Sequence, residues 1–169
     1  MRSAGVWLVL VRKDAALPRV SYPDAIEEAV CFGWIDSKQK RLDDQRTILW
    51  MSPRNPASGW SKVNKERVER LEAAGLMAEP GRAVVAAAKE SGAWSRLDSA
   101  EALEVPDDLA AAFERNGRAK ANYDAFPPSS KKIILSWIGS AKRPETRARR
   151  VEETVRLAAQ NVRANHRRS

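Results

Sequence analysis

The sequence holds one cysteine, Cys31, and one histidine, His166, in 169 residues. A single thiol excludes an internal disulfide, and one thiol with one imidazole cannot build a Cys/His metal cluster. The same scarcity argues against Ser-His-Asp or Cys-His catalysis, because His166 lies in the basic tail. The eight glycines are scattered, and none forms a phosphate-cradling loop. The apolar runs are short, and none approaches the 18 or so residues of a membrane-spanning helix. Val6 to Val11 is followed, not preceded, by the cations Arg12 and Lys13, with no small-residue cleavage site after it. That order is the reverse of a secretory leader, so a strand and a cytoplasmic location are expected. No catalytic residue, cofactor or metal is assigned, and an enzymatic role is the less favoured reading.

What is present is ordinary for a folded domain, with 43% hydrophobic and 31% charged residues. The formal charge of +8 is unevenly placed. Residues 142–169 hold nine Lys/Arg against three Glu, which accounts for +6 of it. A basic end can hold phosphates or an anionic surface, and it can equally be a solvated helix face.

Periodicity gives the elements. Val6–Val11 is apolar at successive positions, which predicts a strand covered on both faces. Residues 14–19 read as a loop. Ser21 caps a helix over Tyr22–Phe32 with Pro23 in its first turn, and Gly33 ends it in a left-handed conformation. Trp34–Leu42 and Arg46–Ser52 read as strands around Asp43-Asp44-Gln45. Pro53 to Gly59 is a loop. Helices then follow after Ser61, over Gly81–Ser91, after Pro106, after Asn116, over Ser129–Ser140, and from Pro144. The last carries the stripe Ala148, Val151, Val155, Ala158 and Val162. The fold class is therefore α+β, a small N-terminal β-sheet with one helix followed by a helical C-terminal half. Residues 1–60 form the sheet region and 61–169 the helical region, expected as one compact domain with a basic C-terminal tail.

Three segments carry a resemblance. They are Phe32-Gly33-Trp34-Ile35-Asp36, the run from Pro53-Arg54 through Ser58, Trp60-Ser61, Asn64 and Arg67-Val68 to Leu71, and Ser140 to Arg150 (SAKRPETRARR). In these the chain resembles, over nearly its whole length, the YdeI/OmpD-associated family, also called OmdA or bacteriocin-protection proteins. The departure is at the start, where members usually carry a helical stretch and this sequence has Met1 to Ala4 before the strand. The resemblance implies a non-catalytic binding or interaction protein linked to stress or antimicrobial-peptide resistance. It implies no enzymatic activity.

The residues themselves leave two readings of the 31–71 segment. In the first, Trp34, Asp36, Arg54, Trp60, Ser61, Asn64 and Lys65 form a ligand site. The helix start at Ser61 presents N–H groups and partial positive charge, arginine and lysine attract an anion, and the tryptophans stack on a planar group. In the second, Asp36 pairs with Arg54 or Arg67, the tryptophans anchor the core, and Ser61 only caps a helix. A further alternative is nucleic-acid binding through Lys142, Arg143, Arg147, Arg149, Arg150 and Arg156, with a sequence pI near 10.0 in its favour. The partners to be considered are an anionic small molecule, a protein or a nucleic acid.

Overall fold

The carboxylate of Asp43 organises the sheet. Its Oδ1 accepts from the backbone N–H of Gln45 at 2.9 Å and of Arg46 at 2.7 Å, closing a tight turn of the Asx kind. This turn joins β2 (Trp34–Arg41) to β3 (Arg46–Pro53) in the computed structural model, which describes residues 5–11 and 20–166. β1 (Val6–Val11) pairs along the other side of β3, giving an antiparallel sheet in the order β1-β3-β2. Leu8 faces Leu49, Trp7 faces Trp50, and Trp34 faces Pro53. Alternation along the strands then places Leu10, Leu49 and Met51 on the inner face, where all three are buried.

β1 departs from the expectation of a strand covered on both faces. It lies at the sheet edge, and Val6, Trp7 and Val9 are each more than 40% exposed. On the outer face Trp7 leans edge-on to Trp50 at 5.1 Å, with the Lys40 ammonium over its ring. The loop expected at 14–19 lies outside the described residues.

Three helices complete the first unit: α1 (Tyr22–Cys31), α2 (Lys62–Ala73) and α3 (Glu79–Glu90). Ser21 caps α1 by accepting from the N–H of Asp24, as its position before Pro23 predicts. Gly33 follows α1 at φ +74°, a conformation that turns the chain directly into β2. α3 begins two residues earlier than expected, because Pro80 occupies its first turn. Gly81 lets α3 approach the end of α1, since a Cβ there would lie 2.2 Å from the Cys31 carbonyl oxygen. Cys31 itself is buried, and that burial raises its thiol pKa. α1 and α2 are joined by a two-bond contact from Arg70 to Glu27, at 2.6 and 3.2 Å.

The chain divides into compact units after Arg96. The sequence changes from sheet to helix near 60/61, but α2 and α3 share one core with the sheet, including Leu49, Trp60, Val68, Leu71 and Val85. The second unit is helical among the described residues: α4 (Asp98–Glu101), α5 (Asp107–Glu114), α6 (Gly117–Asp124), α7 (Pro128–Gly139) and α8 (Pro144–Ala159). Its core centres on Leu109, Phe113, Tyr123, Ile134 and Ile138. The stripe of α8 differs from the sequence reading. Ala148 is exposed, Val162 lies past the helix end, and Thr154 is fully buried between Val151 and Ala158. Thr154 fits because its hydroxyl donates back to the Arg150 carbonyl at 2.8 Å. The four-residue α4 is too short to show a helical period in sequence.

Candidate functional site

The loop from Pro53 to Trp60 is fixed by its own polar groups. Asn55 accepts from the Ala57 N–H at 2.9 Å, and the Ala57 carbonyl accepts from Arg96. At its start, the Arg54 N–H donates to the Gly33 carbonyl at 3.0 Å, tying the loop to the left-handed turn after α1. This places Arg54 beside Gly33 and Trp34 in the wall of a cleft of about 620 Å³. Phe32, Pro80 and Val84 contribute apolar walls. Gly33 is required by space as well as by φ, because a Cβ would approach Val84 Cγ2 to 2.8 Å.

The arginine is the unusual element. Arg54 is only 6% exposed. Its guanidinium lies over the Trp60 ring at 3.8 Å, and its Nη2 donates to the Gly59 carbonyl at 2.6 Å. Its Nε is buried without a hydrogen-bond partner, and no carboxylate of the described residues pairs with it. Burial pulls its pKa below the ordinary arginine value, since desolvation disfavours the charged form. Buried charges in folded proteins are ordinarily paired, because an unpaired one carries a large desolvation cost. Arg54 is also the one charged residue among the described residues that line the cleft.

The residues singled out in sequence separate into three groups. Trp34 and Arg54 share the cleft. Trp60 lies behind Arg54 as a core side chain, 2% exposed, tilted against Trp94 at 5.0 Å. Asp36, Ser61, Asn64 and Lys65 do not line the cleft. Asp36 accepts from the Tyr22 hydroxyl at 2.8 Å rather than from Arg54 or Arg67. That phenol titrates higher than usual, through burial first and the Asp36 carboxylate second. Ser61 stands at the N-cap of α2, but its side chain makes no capping bond. Asn64 accepts from Arg67 at 2.5 Å. The ammonium of Lys65 lies over the Trp94 ring at 5.4 Å, with that of Lys89 at 5.2 Å. A column therefore runs from Arg54 through Trp60 and Trp94 to two lysines.

Sequence reasoning missed Trp94, Lys89 and the cleft walls Pro80 and Val84. None is close in sequence to the 31–71 segment. Phe32 read as part of a structural turn, yet its ring is 49% exposed at the mouth of the cleft. An aromatic left in water beside a left-handed glycine was the available signal.

A second cleft of about 470 Å³ lies between α1 and the inner face of β1, and it is nearly all apolar. Phe32 and Trp34 line both clefts. Leu8, Ala29 and Met51 extend the apolar wall, and Asp24 and Glu28 are also among its lining residues.

In the second unit the six basic residues named from sequence also separate. Arg147 holds Asp108 through two bonds, at 2.6 and 2.9 Å. This pair keeps the Asp108 carboxyl below its usual range. Arg150 donates to the Trp137 carbonyl and to the Ser140 hydroxyl, and lies over the Trp137 ring at 5.1 Å. Two arginines of the SAKRPETRARR segment thus fasten α8 to α5 and to the end of α7. Lys142, Arg143, Arg149 and Arg156 remain exposed. Among the described residues no group of three His, Cys, Asp or Glu can hold a metal ion, and no helix is long and apolar enough to cross a membrane.

Residues 102–161 match the family described as Bacteriocin-protection, YdeI or OmpD-Associated. Residues 1–84 match a domain of unknown function, DUF8412. The SAKRPETRARR motif therefore falls in the first match, whereas the Phe32–Asp36 and Pro53–Leu71 motifs fall in the second. No curated protein and no solved structure matches the chain.

Proposed function

For a chain whose C-terminal part is a domain of the Bacteriocin-protection, YdeI or OmpD-Associated family, we propose a non-catalytic binding protein. Its first unit takes a small anionic molecule in the cleft at Arg54. The observation that carries this reading is a nearly buried arginine with no acidic partner among the described residues, in the lining of an open cleft. Such a charge is held at a cost to stability, and an anion in the cleft would offset it. Trp60 supports the guanidinium from behind, and Trp34 and Phe32 offer aromatic faces beside it. The family's name suggests the setting, protection against bacteriocins, which are antimicrobial peptides or proteins.

Calorimetric titration of the full chain with small carboxylates and inorganic phosphate tests the reading. Binding by wild type that vanishes in Arg54→Met supports it. Equal binding by both proteins, or none by either, ends it. For the setting, loss of the gene should raise sensitivity to cationic peptides, and unchanged sensitivity would contradict it.

Nucleic-acid binding is the second reading, favoured by the exposed Lys142, Arg143, Arg149 and Arg156. Arg147 and Arg150 are already engaged within the protein, which shortens the available phosphate track. Phosphate contacts would make affinity fall steeply with salt, and no retention of DNA or RNA at low salt would exclude the reading.

A further inference from the structure

We infer that the ligand of the Arg54 cleft is a single-chain amphiphile, with one carboxylate head and a hydrocarbon tail lying in the adjoining apolar cleft. The inference rests on the anion-binding reading above and adds the ligand's class and orientation.

Three observations carry it. The first is charge. Arg54 is the one charged residue among the described lining of its cleft, and one guanidinium neutralises a monoanion. A phosphate dianion would call for a second cation, whereas the remaining described lining offers only neutral donors, such as Ser52 and Asn55, beside proline, valine and aromatic carbon. The second is continuity. Phe32 and Trp34 line both clefts, so the two clefts adjoin at these residues and a molecule held at Arg54 has the apolar cleft beside it. Leu8, Ala29 and Met51 then offer only hydrocarbon and thioether surface. The third is polarity. Asp24 and Glu28 line the second cleft and would repel a carboxylate placed there. The head is thus directed to Arg54 and the tail away from it. Phe32 fits this arrangement, since a ring 49% exposed between two clefts gains cover when an alkyl chain passes over it.

The test is a chain-length series on the full protein: acetate, hexanoate, octanoate and decanoate at monomeric concentrations, with decanol and inorganic phosphate beside them. Binding is followed by tryptophan fluorescence and calorimetry. The expected result is an affinity that rises up to about fourfold per methylene through the series, with decanol and phosphate far weaker than decanoate. Phe32→Ala alters an exposed side chain and should leave the fold intact while flattening the dependence on length. Ala29→Phe, which fills the tail cleft, should do the same. Affinity independent of chain length, or phosphate bound more tightly than decanoate, overturns the amphiphile and leaves the anion reading standing. Decanol bound as tightly as decanoate, with Arg54→Met without effect, overturns both. No binding by any member of the series and none by phosphate also overturns both.

Discussion

Each unit of this protein lays an arginine on a tryptophan, and the two pairs differ in what else the guanidinium touches. Arg150 lies over Trp137 at 5.1 Å and bonds the Trp137 carbonyl and the Ser140 hydroxyl, so its donors fasten α8 to the end of α7. Arg54 lies closer to Trp60, at 3.8 Å, and is more deeply buried, yet it bonds one carbonyl and leaves Nε without a partner. The shallower arginine has no buried atom without a partner, and the deeper one does. Packing alone would favour the opposite arrangement, because an unmet donor costs more where water is excluded. On the proposed reading, the contrast separates a structural arginine from one kept in readiness for a ligand.

The platforms should differ most. Trp60→Ala removes a side chain that is 2% exposed and should destabilise the first unit by about 3–5 kcal/mol. Trp137 is partly exposed, and Trp137→Ala should cost clearly less in the same chemical denaturation. Equal losses would break the comparison. The arginines come next. Arg150→Met should cost about 1–2 kcal/mol through its lost bonds. Arg54→Met should change the unliganded protein by less than about 1 kcal/mol, because its lost Gly59 bond is offset by removal of an uncompensated charge.

A smaller effect concerns acid. The Arg147 guanidinium holds the Asp108 carboxyl below its ordinary value. Asp108 therefore contributes stability above the unfolded carboxylate range, near pH 4, and that contribution is lost as pH falls through the lower folded value. Asp108→Asn should remove this dependence, at about 0.5 kcal/mol for so exposed a pair. Melting curves of both proteins between pH 2 and 8 check the sign, and a loss that grows above pH 6 would refute it.

The smallest effect sharpens the meaning of an unmet polar atom. The Tyr123 hydroxyl is also buried without a partner, and burial raises its pKa to about 12. It is packed against Phe113 and Phe126 and lines none of the clefts described above. Tyr123→Phe should therefore be near neutral, changing stability by less than about 0.5 kcal/mol, with no functional cost. A loss above that would show a partner for the hydroxyl and weaken the parallel with Arg54.

Local chemistry was legible in the sequence because it acts over a few residues. Ser21, Pro23, Gly33 and Asp43 each determine a cap or turn with neighbours at most four positions away. What the sequence concealed depends on distant neighbours. Asp36 had two arginines as plausible partners, and the fold gives it Tyr22 instead. Trp60 and Trp94 stack only because α3 returns the chain to the Pro53–Trp60 loop. The apolar run of β1 suggested cover on both sides, but periodicity reports composition and not what lies opposite. Trp34 and Arg54 were visible as candidates, and their division from Ser61, Asn64 and Lys65 required the cleft itself.

The most direct test of the central claim is thermal unfolding of wild type and Arg54→Met, each with and without decanoate. The account predicts near-equal melting without ligand and a ligand-induced rise in wild type alone. A large loss of stability in unliganded Arg54→Met, together with no ligand effect in wild type, would show Arg54 to be structural and contradict it.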